Sequence, residues 1–206
     1  MSTARPMFRL TAVALALTAA CSGAKGKAEA AITAADQAID AIAADAGKVL
    51  PYEVEQLKSS VAVARDSLAA KGYAAAAALA AEIPAKAQEV AAKVPAKRAQ
   101  LTAELDTLGF ALKKNLAAIQ TRLDQFARTR RLPTGVTQAK VDSVKQVLAT
   151  APQEWTAIES QIGAGELDAA YGKGTVLRLK VSQALEAVGL VAGEAEWHNL
   201  TMPPRP

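Results

Sequence analysis

Apolar side chains recur at alternating intervals of three and four along most of this chain, the signature of helices with one buried stripe. Ile32, Ala35, Ile39, Ile42, Ala46 and Val49 set the first stripe, which predicts a helix over 28–48 that Gly47 and Pro51 bring to an end. Pro51 suits the first turn of a second helix. Val54, Leu57, Val61, Ala64 and Leu68 carry that helix to Lys71-Gly72, with the glycine expected in a left-handed cap. A long helix is expected from Tyr73 to about Arg131. Its stripe (Leu79, Ile83, Ala87, Val90, Val94, Leu101, Leu105, Leu108, then Leu112 to Phe126) holds register across Pro84 and Pro95. Preserved register implies kinks at those prolines rather than stops, and Gly109 is a possible interruption. Leu132-Pro133-Thr134-Gly135 predicts a turn. Two more helices follow, over 137–163 with Pro152 inside and over 166–188 with Gly189 as a cap.

No stretch alternates with the period of two that strands require. The expected class is therefore all-α: an antiparallel bundle of long, proline-kinked amphipathic helices, arranged as two helical hairpins after a signal peptide.

The first twenty residues have a different pattern. Arg5 and Arg9 precede an uncharged apolar run from Leu10 to Ala20. That run is shorter than the roughly 20 apolar residues needed to span a bilayer, and it has the layout of an export signal. Cys21, the only cysteine, follows directly. Leu17-Thr18-Ala19-Ala20-Cys21 resembles the bacterial lipobox, with Thr18 where the commonest form has leucine. The resemblance implies a diacylglycerol on the Cys21 sulfur, removal of the leader and an acyl chain on the new amino terminus. An ordinary leader cut after Ala20, with an idle cysteine, is the alternative. A single myristoyl chain holds a protein only marginally, whereas additional chains make attachment lasting. Ser22 follows the cysteine. In the sorting pathway this resembles, aspartate there retains a lipoprotein at the inner membrane and serine releases it to the outer membrane. The expected organisation is a lipoprotein signal peptide over 1–20, a lipidated cysteine and tether over 21–27, a helical bundle over 28–190 and an irregular tail over 191–206.

Charge changes the picture little. Of 24 basic and 20 acidic residues, the leader holds two basic ones, leaving 22 against 20 in the mature chain. That near-neutral balance argues against a nucleic-acid partner. Acylation of Cys21 leaves no thiol for a disulfide or a redox couple. Aromatic residues are only 4% of the chain and alanine supplies much of the apolar content. Helices should therefore form readily and pack closely, each contact burying modest area.

Two turns look alike: Lys71-Gly72-Tyr73 followed by Ala76, and Gly165-Glu166-Leu167 followed by Ala170. Both resemble the Gly-Asp-Tyr-x-x-Ala turn of tetratricopeptide hairpins, and residues 70–94 align with 164–188 as a weak duplication. The long helices and the missing 34-residue period set the chain apart from a tetratricopeptide array. The Tyr73 turn, Ile83-Pro84-Ala85-Lys86-Ala87, Lys97 to Leu105, Arg131-Leu132-Pro133 and the Leu167 turn together resemble a group of alanine-rich exported bacterial lipoproteins. These are packing and turn motifs. The resemblance implies a fold and no site.

Candidate chemistry is sparse. His198 is the only histidine and has no evident partner for general-base work. Zinc would need several His or Cys ligands. Glu29, Asp36 and Asp40 share one helix face and read as a solvated surface, with a hard cation as the sharper alternative. Lys113, Lys114, Arg122, Arg128, Arg130 and Arg131 make one helix end basic. Complementing the helix dipole accounts for such cations; contact of Arg122, Arg128, Arg130 and Arg131 with anionic lipid or cell-wall polymer is the sharper reading. Trp155, Tyr73 and Tyr171 read as core. The small residues Ala170, Gly174 and Ala184 suggest room for a ligand. No phosphate loop, nucleophile elbow or catalytic dyad is found in the sequence.

The expected function is a non-enzymatic lipoprotein on the periplasmic face of the outer membrane. It would be held in the bilayer by acylated Cys21 with no other cofactor, and would act as scaffold or adaptor for another envelope protein. The alternatives are a binding module for a small or lipidic ligand between hairpins, and a cell-wall spacer. The major peptidoglycan-linked lipoprotein makes its bond through a terminal lysine, and Pro206 is not one.

Overall fold

The computed structural model describes residues 23–190; Cys21, Ser22, the leader and the tail with His198 lie outside them. Six α-helices occupy the described residues: α1 (Ala24–Ala46), α2 (Pro51–Ala69), α3 (Tyr73–Ala81), α4 (Ile83–Thr129), α5 (Gln138–Gly163) and α6 (Leu167–Ala187). The all-α expectation holds, with no strand among the described residues.

Boundaries follow local chemistry, with informative departures. α1 starts at Ala24 rather than 28, so most of the expected tether is helical. Lys25 lies 3.5 Å from Glu29 one turn on, and such pairs extend helices beyond their buried stripe. Pro51 opens α2 as expected. At its far end Lys71, not Gly72, takes the left-handed conformation, at φ 64°. The Gly72 amide then donates to Ser67 O at 2.8 Å, the six-to-one bond of a Schellman cap. The register of that bond places the left-handed residue one position before the glycine.

The long third helix divides into α3 and α4 at Glu82, whose φ −78° and ψ −23° remain right-handed helical. Pro84 lies in the first turn of α4. Having no amide hydrogen, it cannot bond back to Ala80, so the ladder breaks there. Lys86 Nζ donates to Glu82 Oε2 at 2.8 Å across the break. That hydrogen bond, with the ammonium charge, holds the Glu82 carboxyl below the ordinary carboxylate range. Pro95 and Pro152 lie inside α4 and α5. Gly109, a possible interruption, sits buried in mid-helix.

On α3 the buried face is Ala76 and Ala80, whereas Leu79 of the expected stripe is exposed. α3 packs against both α1 and α2, and only methyl-sized side chains fit where three helices come so close.

Specific contacts fix the direction of each helix. Arg65 on α2 pairs with Asp36 on α1 at 2.6 Å, so α2 runs back along α1. α3 and α4 then climb beside α1 until Arg98 pairs with Asp45 at the end of α1. Beyond Arg98, α4 enters a second group. α5 descends along it, with Trp155 against Gly109, and α6 climbs again, with Gly174 against Leu108. Arg122 Nε donates to Val188 O at 3.3 Å where α6 ends. The molecule is thus two three-helix layers placed end to end, with the α3–α4 rod as the third helix of one and the first of the other. One continuous apolar core, from Ile32 to Val188, runs through both. The connection after α1 meets the turn before α6: Lys48 Nζ donates to Ala164 O at 2.9 Å, and the Asp168 amide to Lys48 O at 3.2 Å. Among the described residues no helix is long and apolar enough to cross a membrane.

Candidate functional site

Three regions hold the polar and aromatic groups that could act on something outside the fold. The first is a groove between α4 and α5. Its upper part has a volume of about 400 Å³, with Leu112, Leu116, Ala151 and Leu177 in its wall. An adjoining stretch of about 370 Å³ reaches Leu105, Phe110 and Ile162. Lys113, Trp155 and Glu159 line both. The groove exists because Trp155 props the two helices apart. Its indole packs on Gly109, and its Nε1 donates to Glu159 Oε1 at 2.6 Å. Phe110, on the rim, is 72% exposed. The lining is apolar with one cation, Lys113, and two acids, Asp106 and Glu159.

The expected cavity at Ala170, Gly174 and Ala184 is filled instead. All three are buried, and a Cβ added to Gly174 would meet Leu108 Cδ2 at 2.6 Å. The small residues of α6 let Leu108 dock; they leave no ligand space.

The second region is the junction between layers. The Asp168 carboxyl sits above its ordinary range because it is partly desolvated. Lys97 opposes that shift and Glu53 adds to it. Higher on α6, partial burial pushes the Tyr171 phenol up, and the negative charge of Glu104 pushes it further. Glu104 Oε1 accepts from Gln100 at 2.8 Å, while Oε2 is buried without a hydrogen-bond partner.

The third region is the far end of the rod. The sequence groups four arginines there, and the structure separates them. Arg122 is half-buried: it donates to Val188 O and to Gln125 Oε1, and its guanidinium lies 5.1 Å from the Phe126 ring centroid. It covers Phe126 and closes the end of α6. Arg128, Arg130 and Arg131 are exposed. Arg130 caps α4 in the left-handed conformation at φ 51°, its amide donating to Phe126 O at 3.0 Å. The loop beyond is internally bonded. Val136 N donates to Pro133 O at 3.1 Å, Thr137 caps α5 by accepting from Lys140 N, and Lys140 Nζ donates to Gly135 O at 2.7 Å.

Of the other candidates, Asp36 is paired with Arg65 and Glu29 with Lys25. No group of His, Cys, Asp or Glu among the described residues could hold a metal ion. Trp155, Tyr73 and Tyr171 are half-buried rather than full core. Asn115 is a residue the pattern missed. It is 6% exposed on the buried face of α4, and its Nδ2 has no hydrogen-bond partner. It falls three positions after Leu112 and four before Ile119, a spacing that marks it as inward-facing. No family model, curated protein or solved structure matches this chain.

Proposed function

We propose that this chain is a lipid-anchored, non-enzymatic scaffold of the bacterial cell envelope, acylated at Cys21 and released to the outer membrane by Ser22. The reading rests first on the lipobox-like run ending at Cys21. It is supported by one structural observation: the ordered helix begins at Ala24, three positions after that cysteine. A helix that starts so soon after the acylated residue would keep the helical rod close to the bilayer. Bends at Pro84, Pro95 and Pro152 and the two tetratricopeptide-like turns would shape the rod for a partner protein. The test is mass measurement of the amino-terminal peptide from native membranes. The expected peptide starts at Cys21 and carries diacylglyceryl and acyl mass. An unmodified cysteine, or a retained leader on a protein recovered in the aqueous fraction, overturns the reading.

A second reading, a binding module for a lipidic or small apolar ligand, is favoured by the α4–α5 groove, whose size falls in the range of ligand pockets. It predicts co-purified lipid that disappears when Phe110 and Leu116 are replaced by serine. Lipid-free protein overturns it.

A further inference from the structure

The described residues hold 21 basic and 18 acidic side chains, and the imbalance is local. The segment 125–141 contains Arg128, Arg130, Arg131 and Lys140 and no acid, so the remainder holds 17 basic and 18 acidic groups. The whole positive excess therefore sits on the last turn of α4, the loop after it and the first turn of α5, with Arg130 and Arg131 in the loop itself. Helix dipoles do not absorb it. The C-terminus of α4 carries about half a negative charge and the N-terminus of α5 about half a positive one, and side by side they cancel. The three arginine side chains make no hydrogen bond or ion pair among the described residues, and Leu132, directly after Arg131, is 39% exposed. The loop lies at the opposite end of the rod from Gly23. From Tyr73 to Thr129 the helical path rises roughly 85 Å at 1.5 Å per residue.

We propose that this loop is a docking site for an anionic phospholipid bilayer, and that the rod bridges from its amino-terminal attachment to that second surface. The fixed cations supply attraction that decays within a Debye length, about 10 Å at 0.1 M salt, and Leu132 with Pro133 supplies an apolar contact at the same place. Arg122, engaged with Phe126 and Val188, is not part of the site. The bridging rests on the anchored reading above; the binding does not.

The test uses a chain beginning at Gly23, which keeps the entire core from Ala28 to Val188, with an amino-terminal histidine tag. It is incubated with neutral nickel-lipid vesicles together with a second vesicle population. Clustering is expected when the second population contains phosphatidylglycerol and is lost when it is phosphatidylcholine alone. Each arginine near an anionic surface contributes about a fivefold gain in partitioning, so R128A/R130A/R131A should weaken sedimentation with phosphatidylglycerol vesicles on the order of a hundredfold. L132S should weaken it less, and K58A/K93A/K173A, which removes the same charge elsewhere, should leave it unchanged. Unaltered binding by the arginine triple variant overturns the proposal. So does equal loss in the lysine triple variant, or sedimentation with purified cell-wall sacculi but not with vesicles. An unacylated Cys21 beside intact vesicle binding would remove the anchor and leave the docking site standing.

Discussion

The indole of Trp155 occupies the space that a side chain at position 109 would need: a Cβ on Gly109 would lie 2.5 Å from Trp155 Cζ2. Gly109 costs α4 about 1 kcal/mol of helix propensity relative to alanine. The glycine leaves room for the Trp155 indole, the aromatic contact that spaces α5 from α4.

Gly109→Ala is expected to drive the indole toward the open groove, because overpacking at a filled site costs about 1–3 kcal/mol and exceeds the propensity gain. The net loss should be about 1 kcal/mol, with red-shifted emission from Trp155. Urea unfolding followed by fluorescence measures both; an unshifted spectrum with higher stability refutes the packing argument.

Gly174 and Leu108 are coupled in the same way, but deeper. Gly174→Ala should cost about 2 kcal/mol, and Leu108→Ala about 2–5 kcal/mol through its cavity. The double variant should lose clearly less than the sum, since the new methyl enters the space the leucine vacates. A double-mutant cycle showing simple additivity would sink the claim that the two share one site.

Asn115→Leu is expected to stabilise the protein by about 1–2 kcal/mol, because a buried amide without a partner carries a desolvation cost of that order. A lower melting temperature would mean that the amide has a structural task in α4.

Alkaline pH probes Tyr171. Its folded-state value lies above the usual phenol value of 10.0 because of burial and the nearby Glu104 charge. The unfolded chain therefore releases the phenol proton first. The contribution of this group is fully present below pH 10 and declines as pH rises through the folded-state value. Tyr171→Phe should flatten the fall in melting temperature above about pH 10 and leave the profile at pH 7 to 9 parallel to the parent. An unchanged alkaline limb would assign the loss to other groups.

The helices were legible in the sequence because periodicity is a local property. The stripes Ile32-Ala35-Ile39 and Val141-Val144 read there are buried in the fold. Distances across the fold left no such mark. Nothing near Lys48 announces that its side chain reaches Ala164. The contrast between Arg122 and Arg128 depends on where the end of α6 arrives. Alanine caused the main misreading on α3, where Ala76 and Ala80 lie inside and Leu79 outside. In a segment almost wholly of alanine, close approach rather than side-chain bulk selects the inner face. The small residues of α6 likewise signalled nearness to α4 and were open to being read as space. The lipobox-like run is likewise a local signal, carried by five consecutive residues that end at Cys21.

The 47-residue α4 belongs to both layers at once. The two layers are therefore joined through the backbone of one helix packed in both, rather than through a loop. Built in this way, the molecule would act as a strut, carrying a displacement at its base to any surface held at its remote loop.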